Sequence, residues 1–195
     1  RIDFEKKINF KLLKKKIDLN SFKNINLIFC AGYLDNYSEE LDITEWKKVF
    51  NINVFSHLEI FNYFLPLMKK NKFNNKIIFF SGGGAANSFD TFPAYSASKT
   101  AIVRIVENLA LRYEKYNISI FAIAPGSIKT KMLEKVLQKT DVGTKTSKKE
   151  ILKFIEYYLK IDSFELNGML VHVRDDKEKI KKNKNMNYLK LRRVE

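Results

Sequence analysis

A chain of 195 residues with 45% hydrophobic and 13% aromatic side chains is long and apolar enough for one domain with a sizeable core, which sets aside a disordered chain. It has no run of roughly 18 apolar residues, so no membrane span is expected, and the opening RIDFEKKINF has neither the apolar core nor the cleavage site of a signal sequence. The formal charge of +14 comes from lysines scattered through a Lys-, Asn-, Ile- and Phe-rich composition, and no zinc-ligand spacing, RNP-like aromatic motif or basic heptad accompanies it, so no nucleic-acid partner is expected.

In chain order, Phe4, Ile8, Leu12, Leu13 and Ile17 fall near helical spacing, with lysines on the other face. NINLIFCAG reads as a buried strand running into a tight turn. Within it Cys30 is the only cysteine, which excludes an internal disulfide and suits a reducing, cytoplasmic setting. Asp42 or Thr44 caps a long helix that runs through EWKKVFNINVFSHLEIFNYFLPLMKK, and Pro66 is expected to bend or end it. KIIFFS is the next strand, followed by Gly82, Gly83 and Gly84. Pro93 sits where a helix begins, and Ala94 to about Tyr116 continues it. ISIFAIAPG is a third strand, closed by Pro125 and Gly126, and a short helix is expected over 131–138. Ser147 and Glu150 form a capping box opening the helix ILKFIEYYLK. NGMLVHVR is a last apolar strand, and a charged tail follows over 174–195.

Apolar strands alternating with helices predict a parallel sheet covered on both faces. In such sheets ligands sit at the carboxyl ends of the strands, where CAGY, SGGG, PAYSASK and APGSIKT all fall. Tyr95 and Lys99 are four apart and share one helix face, with only Ser96, Ala97 and Ser98 between them. In this order the segments resemble the short-chain dehydrogenase/reductase superfamily, from about Ile25 to Val173. YSASK carries the resemblance together with EWKKVFNINV before it and IAPGSIKT after it.

The resemblance implies an α/β doubly wound parallel sheet of Rossmann type and an oxidoreductase dependent on NAD or NADP. It would interconvert a carbonyl and an alcohol on a small molecule, with a weak pointer to sugar metabolism. A 3-oxoacyl-thioester reductase and a catalytically silent binding module are the rivals. Tyr95 would be the general acid/base, and Lys99 would lower its pKa and hold the nicotinamide ribose. Asn53 matches the residue that links that lysine to a water chain. Pro125, Gly126, Ile128 and Thr130 match the segment that cradles the nicotinamide, and Ala31 and Gly32 a turn lying against the cofactor. No metal is implied.

Several residues depart from the family pattern. The serine usually found thirteen residues before the tyrosine is here Gly82, and Ser81 stands fourteen before it. Either Ser81 or a backbone N–H of Gly82 to Gly84 would polarise the substrate oxygen; the plain alternative for Ser81 is a hydroxyl bonded to backbone. Cys30 replaces a common asparagine and reads as a buried small hydrophobe. His57 and His172 fit no ligand or base spacing and read as structural. The glycine run lacks the ending of a phosphate loop. The family's opening strand, Gly-rich turn and helix are not found, so residues 1–195 read as the C-terminal part of a longer domain. The first strand would then be an exposed apolar edge. A homo-oligomer is expected through the two long helices, aided by Phe55, Phe61, Tyr63 and Phe64.

Overall fold

The computed structural model describes residues 3–16, 23–70, 73–139, 141, 145–160 and 164–176. The expected charged tail therefore lies almost wholly outside the described residues. The strands are β1 (Leu27–Phe29), β2 (Asn75–Phe80), β3 (Ile118–Ala124) and β4 (Leu170–His172), and they form one parallel sheet in that order. The helices are α1 (Phe10–Lys16), α2 (Ile43–Phe50), α3 (Ser56–Lys70), α4 (Pro93–Tyr113), α5 (Lys131–Leu137) and α6 (Lys148–Lys160).

Alternation along the strands builds two cores. Ile77 and Phe79 of β2, with Ile118, Ile120 and Ala122 of β3, face Phe61, Phe64 and Met68 of α3 and Ile102 and Val106 of α4. The intervening Ile78, Phe121 and Ile123 face Ile151, Phe154 and Tyr158 of α6. This is the period-two geometry of a strand buried on both sides. Among the described residues β1 is an edge strand, and its Ile28 stays 40% exposed.

Four expectations need correction. Phe4 and Ile8 precede α1, which starts at Phe10 after the Asn9 side chain accepts from Leu12 N–H at 3.0 Å. Pro66 does not end its helix, which continues to Lys70, with Pro66 on the exposed side. The long helix is interrupted instead by a π segment, Asn51–Phe55, between α2 and α3. The Ser56 N–H reaches Asn51 O, one residue farther back than in an α-helix. The aromatic run also does not form an outward face. Phe61 and Phe64 are only 3% and 6% exposed, and Tyr63 stacks on Phe10 with ring centroids 4.6 Å apart. Only Phe55 stands in solvent, because the run spans more than one side of the helix.

Candidate active site

The carboxyl ends of the strands open on a cavity of about 540 Å³. Tyr95, Lys99, Ser81, Gly32, Pro125, Gly126, Ile128 and Thr130 all line it. Ala31 is half-buried beside this wall, and Asn53 lies wholly buried behind it. Each reaches its place through a local device.

The π segment brings Asn53 in. Its wide turn buries Ile52, Asn53 and Val54 in succession, where an α-helix would begin to turn away. Ser56 reinforces it by donating to Ile52 O at 2.7 Å. The Asn53 amide then works in three directions. Its Oδ1 accepts from Tyr33 N–H at 2.7 Å, and its Nδ2 donates to Tyr33 O and to Ser98 Oγ, both at 2.9 Å. One buried side chain thus ties the loop after β1 to the middle of YSASK. A Cβ at Gly32 would lie 3.8 Å from both Asn53 Oδ1 and Lys99 Nζ, so the glycine leaves these two groups uncovered.

Helix α4 holds Tyr95 and Lys99. Lys99 is nearly fully buried and donates to Phe80 O at 2.9 Å. Desolvation pushes its ammonium down to about 8, with the neighbouring Cys30 thiol opposing the shift. Its Nζ lies 5.4 Å from the centre of the Tyr95 ring. Burial pushes the Tyr95 phenol up to about 12. The resemblance implies that the lysine lowers this pKa; in this structure its hydrogen bond goes to Phe80 O, and desolvation of the phenol sets the direction of the shift. Ser98 completes the turn by donating to Tyr95 O at 2.7 Å.

Opposite the phenol the departure from the family serine has a clear shape. A Cβ at Gly82 would sit 3.7 Å from Tyr95 Oη, so it is Gly82 that directly faces the hydroxyl. Ser81 lines the cavity, but its hydroxyl donates to Lys99 O at 3.2 Å. Thr130 caps α5 by accepting from Leu133 N–H at 3.2 Å, and this helix delivers Met132 and Val136 to the wall. Gly126 has a φ of +74°, and a Cβ there would come within 2.5 Å of Thr146 Oγ1, so only glycine fits this turn.

Cys30 is exposed on the cavity wall, which corrects the expectation of a buried hydrophobe. Burial of its sulfur pushes the thiol up, with Lys99 opposing, so it stays protonated and a poor nucleophile. His57 is buried against Phe29, with ring centroids 4.9 Å apart, and desolvation takes it down to about 4. It is a neutral core residue, as expected.

Tyr33 and Asp35 escape the sequence reading, and His172, read as structural, lies on the cavity wall. The His172 Nδ1 accepts from Arg174 N–H at 3.1 Å, which leaves the proton on Nε2. Tyr33 offers only backbone to Asn53. Asp35, 4% exposed, accepts from the N–H groups of Ala94 and Tyr95 at 3.2 and 3.1 Å. Desolvation pushes its carboxyl up, partly offset by those hydrogen bonds. The apolar residue between these two, Leu34, packs with Phe92 and Val136, and Tyr95 lies against the same cluster. No motif marks backbone acceptors or a cap supplied from so far along the chain.

Comparison with known proteins agrees with this geometry. A family model described as short chain dehydrogenase matches residues 3–141. The chain is 37% identical over 109 residues to an uncharacterized oxidoreductase of Schizosaccharomyces pombe, covering 55% of this chain and 42% of that protein. It is 26% identical over 135 residues to a benzil reductase of Saccharomyces cerevisiae that forms (S)-benzoin, covering 69% and 51%. The chain thus spans about half the length of the curated relatives it matches. A solved structure of 4-hydroxyisoleucine dehydrogenase complexed with NADH superposes with a TM-score of 0.73 at 22% identity, covering 88% of this chain and 76% of that one, a likeness of fold.

Proposed function

The chain belongs to the short-chain dehydrogenase family, and from that premise we propose that the protein is an NAD(P)-dependent oxidoreductase interconverting a carbonyl and an alcohol. The observation that carries this reading is the placement of Tyr95 and Lys99 on one face of α4, both opening on the cavity at the carboxyl ends of the strands, with Asn53 behind them. At Gly32 the wall carries no side chain beside Asn53 and Lys99. Ala31, Gly32, Pro125, Gly126, Ile128 and Thr130 would hold the nicotinamide end of the cofactor. When bound, the cofactor supplies or takes the hydride.

The residues of this chain supply the proton and the field. In the reductive direction Tyr95 gives its phenolic proton to the substrate oxygen as the carbon receives the hydride, so the carbonyl becomes an alcohol. Lys99 is still a cation at neutral pH and stabilises the phenolate left behind. A backbone N–H of Gly82 to Gly84 would be the second donor to the substrate oxygen, a reading supported by the closeness of Gly82 to Tyr95 Oη and by the engagement of the Ser81 hydroxyl with Lys99 O.

The wall opposite is apolar, with Leu34, Phe89, Met132 and Val136. It suits an apolar or aromatic ketone better than a polyhydroxylated sugar, and the likeness to the benzil reductase supports the same class. Calorimetric titration with NADH and NADPH, followed by NAD(P)H consumption with benzil, a keto sugar and a 3-oxoacyl thioester, tests the reading. Micromolar binding of one cofactor and fastest turnover of benzil are expected of a protein that carries the family's Gly-rich opening segment, and weak binding of either cofactor by residues 1–195 alone. Failure to bind either cofactor with that segment present would count against the oxidoreductase reading and favour the rival, a catalytically silent binding module.

A further inference from the structure

We propose that Asp35 is a positioning residue for Tyr95, holding the catalytic turn of α4 from the loop that follows β1. The inference rests on the reading of Tyr95 as general acid/base. It begins from a defect in the helix itself. The residue before α4 is Phe92, whose side chain makes no capping hydrogen bond, and Pro93 at the first helical position has no N–H. The next two N–H groups, of Ala94 and Tyr95, lack intrahelical acceptors because they lie in the first turn. Both are taken by Asp35, one on each carboxylate oxygen.

A local cap would do this more simply, since Ser, Thr, Asp or Asn at position 92 suffices in ordinary helices. Burying a carboxylate at 4% exposure is unfavourable unless its oxygens are satisfied. Here the two amides and the positive end of the helix satisfy it. What the arrangement adds is a connection. Asn53 grips Tyr33 on both its backbone N–H and C=O, Leu34 stands in the cavity wall, and Asp35 grips the backbone of Tyr95. Three consecutive residues therefore set the position of the phenol relative to Asn53 and to the apolar wall. A shift of the helix start would move Tyr95 Oη away from Gly82, and displacements of about 1 Å are enough to lower turnover on the order of 10²-fold.

The test uses Asp35→Ala and Asp35→Asn in the protein, with three measurements. Exchange of the Tyr95 backbone amide and titration of its phenol are followed by nuclear magnetic resonance, the phenol assigned with Tyr95→Phe. Steady-state kinetics with the accepted carbonyl give kcat and KM separately. In Asp35→Ala, amide exchange should quicken at least about tenfold, the phenol pKa should fall below that of the wild-type protein as the ring gains solvent, and kcat should fall by roughly 10- to 100-fold with KM nearly unchanged. Asp35→Asn keeps one acceptor oxygen and should recover part of each change. Should Asp35→Ala fail to fold, the same measurements on Asp35→Asn decide. Unchanged amide exchange and phenol titration in a folded variant would overturn the proposal. If the wild-type protein reduces no carbonyl, the oxidoreductase reading fails, yet the amide and phenol measurements still decide whether Asp35 positions Tyr95.

Discussion

Helix α6 begins under its own cap, whereas α4 begins under a cap supplied by a distant loop. At α6, Ser147 Oγ accepts from Glu150 N–H at 3.2 Å while Glu150 Oε2 accepts from Ser147 N–H at 2.7 Å, all within one turn of chain. At α4 the acceptor is Asp35, reached only after the sheet has formed. The first arrangement stabilises a helix wherever it goes. The second stabilises a relative position, because the helix start is satisfied only when the loop after β1 lies beside it. Structural helices need the first; a helix carrying reactive groups gains from the second.

This contrast predicts that changes at the start of α4 register in turnover, while changes at the start of α6 register in stability alone. The largest effect belongs to Tyr95→Phe, which removes the proton and keeps the ring. Turnover should fall by about 10²–10⁴-fold with an unchanged melting temperature, read by a cofactor-consumption assay beside calorimetry. Retention of most turnover would remove α4 from the chemistry.

Next comes Lys99→Met. The buried ammonium titrates at about 8 in the folded protein against an ordinary 10.5, so the unfolded chain binds more protons between those values. Stability therefore rises with pH across that window, and the methionine variant should lack the rise when denaturant titrations are run at stepped pH. Cofactor affinity should fall in the same variant. A pH dependence identical to wild type would mean that Lys99 is not the group titrating there.

Smaller still is Ser81→Ala. Its hydroxyl donates to Lys99 O, so turnover should fall less than about tenfold, whereas loss of a donor to the substrate oxygen lowers it by about 10²-fold or more. A loss of that larger size would return the role of second donor to Ser81. The smallest change in turnover is expected from Ser147→Ala: none, alongside a loss of about 1 kcal/mol in stability measured by denaturation. A turnover defect there would erase the contrast between the two helices.

The same contrast explains what could be read from the sequence. The capping box, the four strands and the Tyr95–Lys99 pair are short-range patterns whose meaning depends on residue type and spacing, so they are legible before folding. Asp35 is an acidic residue in a polar loop, and nothing local separates it from Glu39 or Glu40. The π segment is equally hidden, because NINV carries no breaker and continues a good helical pattern, while the wide turn shows itself only in the burial of Ile52, Asn53 and Val54 together. Phe61 and Phe64 read as a dimer face only while the core they fill was unseen. Pro66 read as a bend or an end near the C-terminus; it is not the end, since the helix runs on to Lys70. His172 failed to stand out because its role comes from the cavity it faces and not from neighbours in sequence.

The π segment also bears on how this gene can change. A π turn holds one residue more than an α turn, so deleting one residue within 51–55 would close it to an α turn while the faces of α2 and α3 stay nearly in register. Phe61, Phe64 and Met68 would keep facing the sheet, and what would be lost is the inward step that carries Asn53 to Tyr33 and Ser98. Single-codon deletions and insertions here should be purged, whereas the exposed positions Asn51 and Phe55 can drift by substitution. The added residue of the turn and the amide it carries inward at Asn53 are what this stretch holds constant.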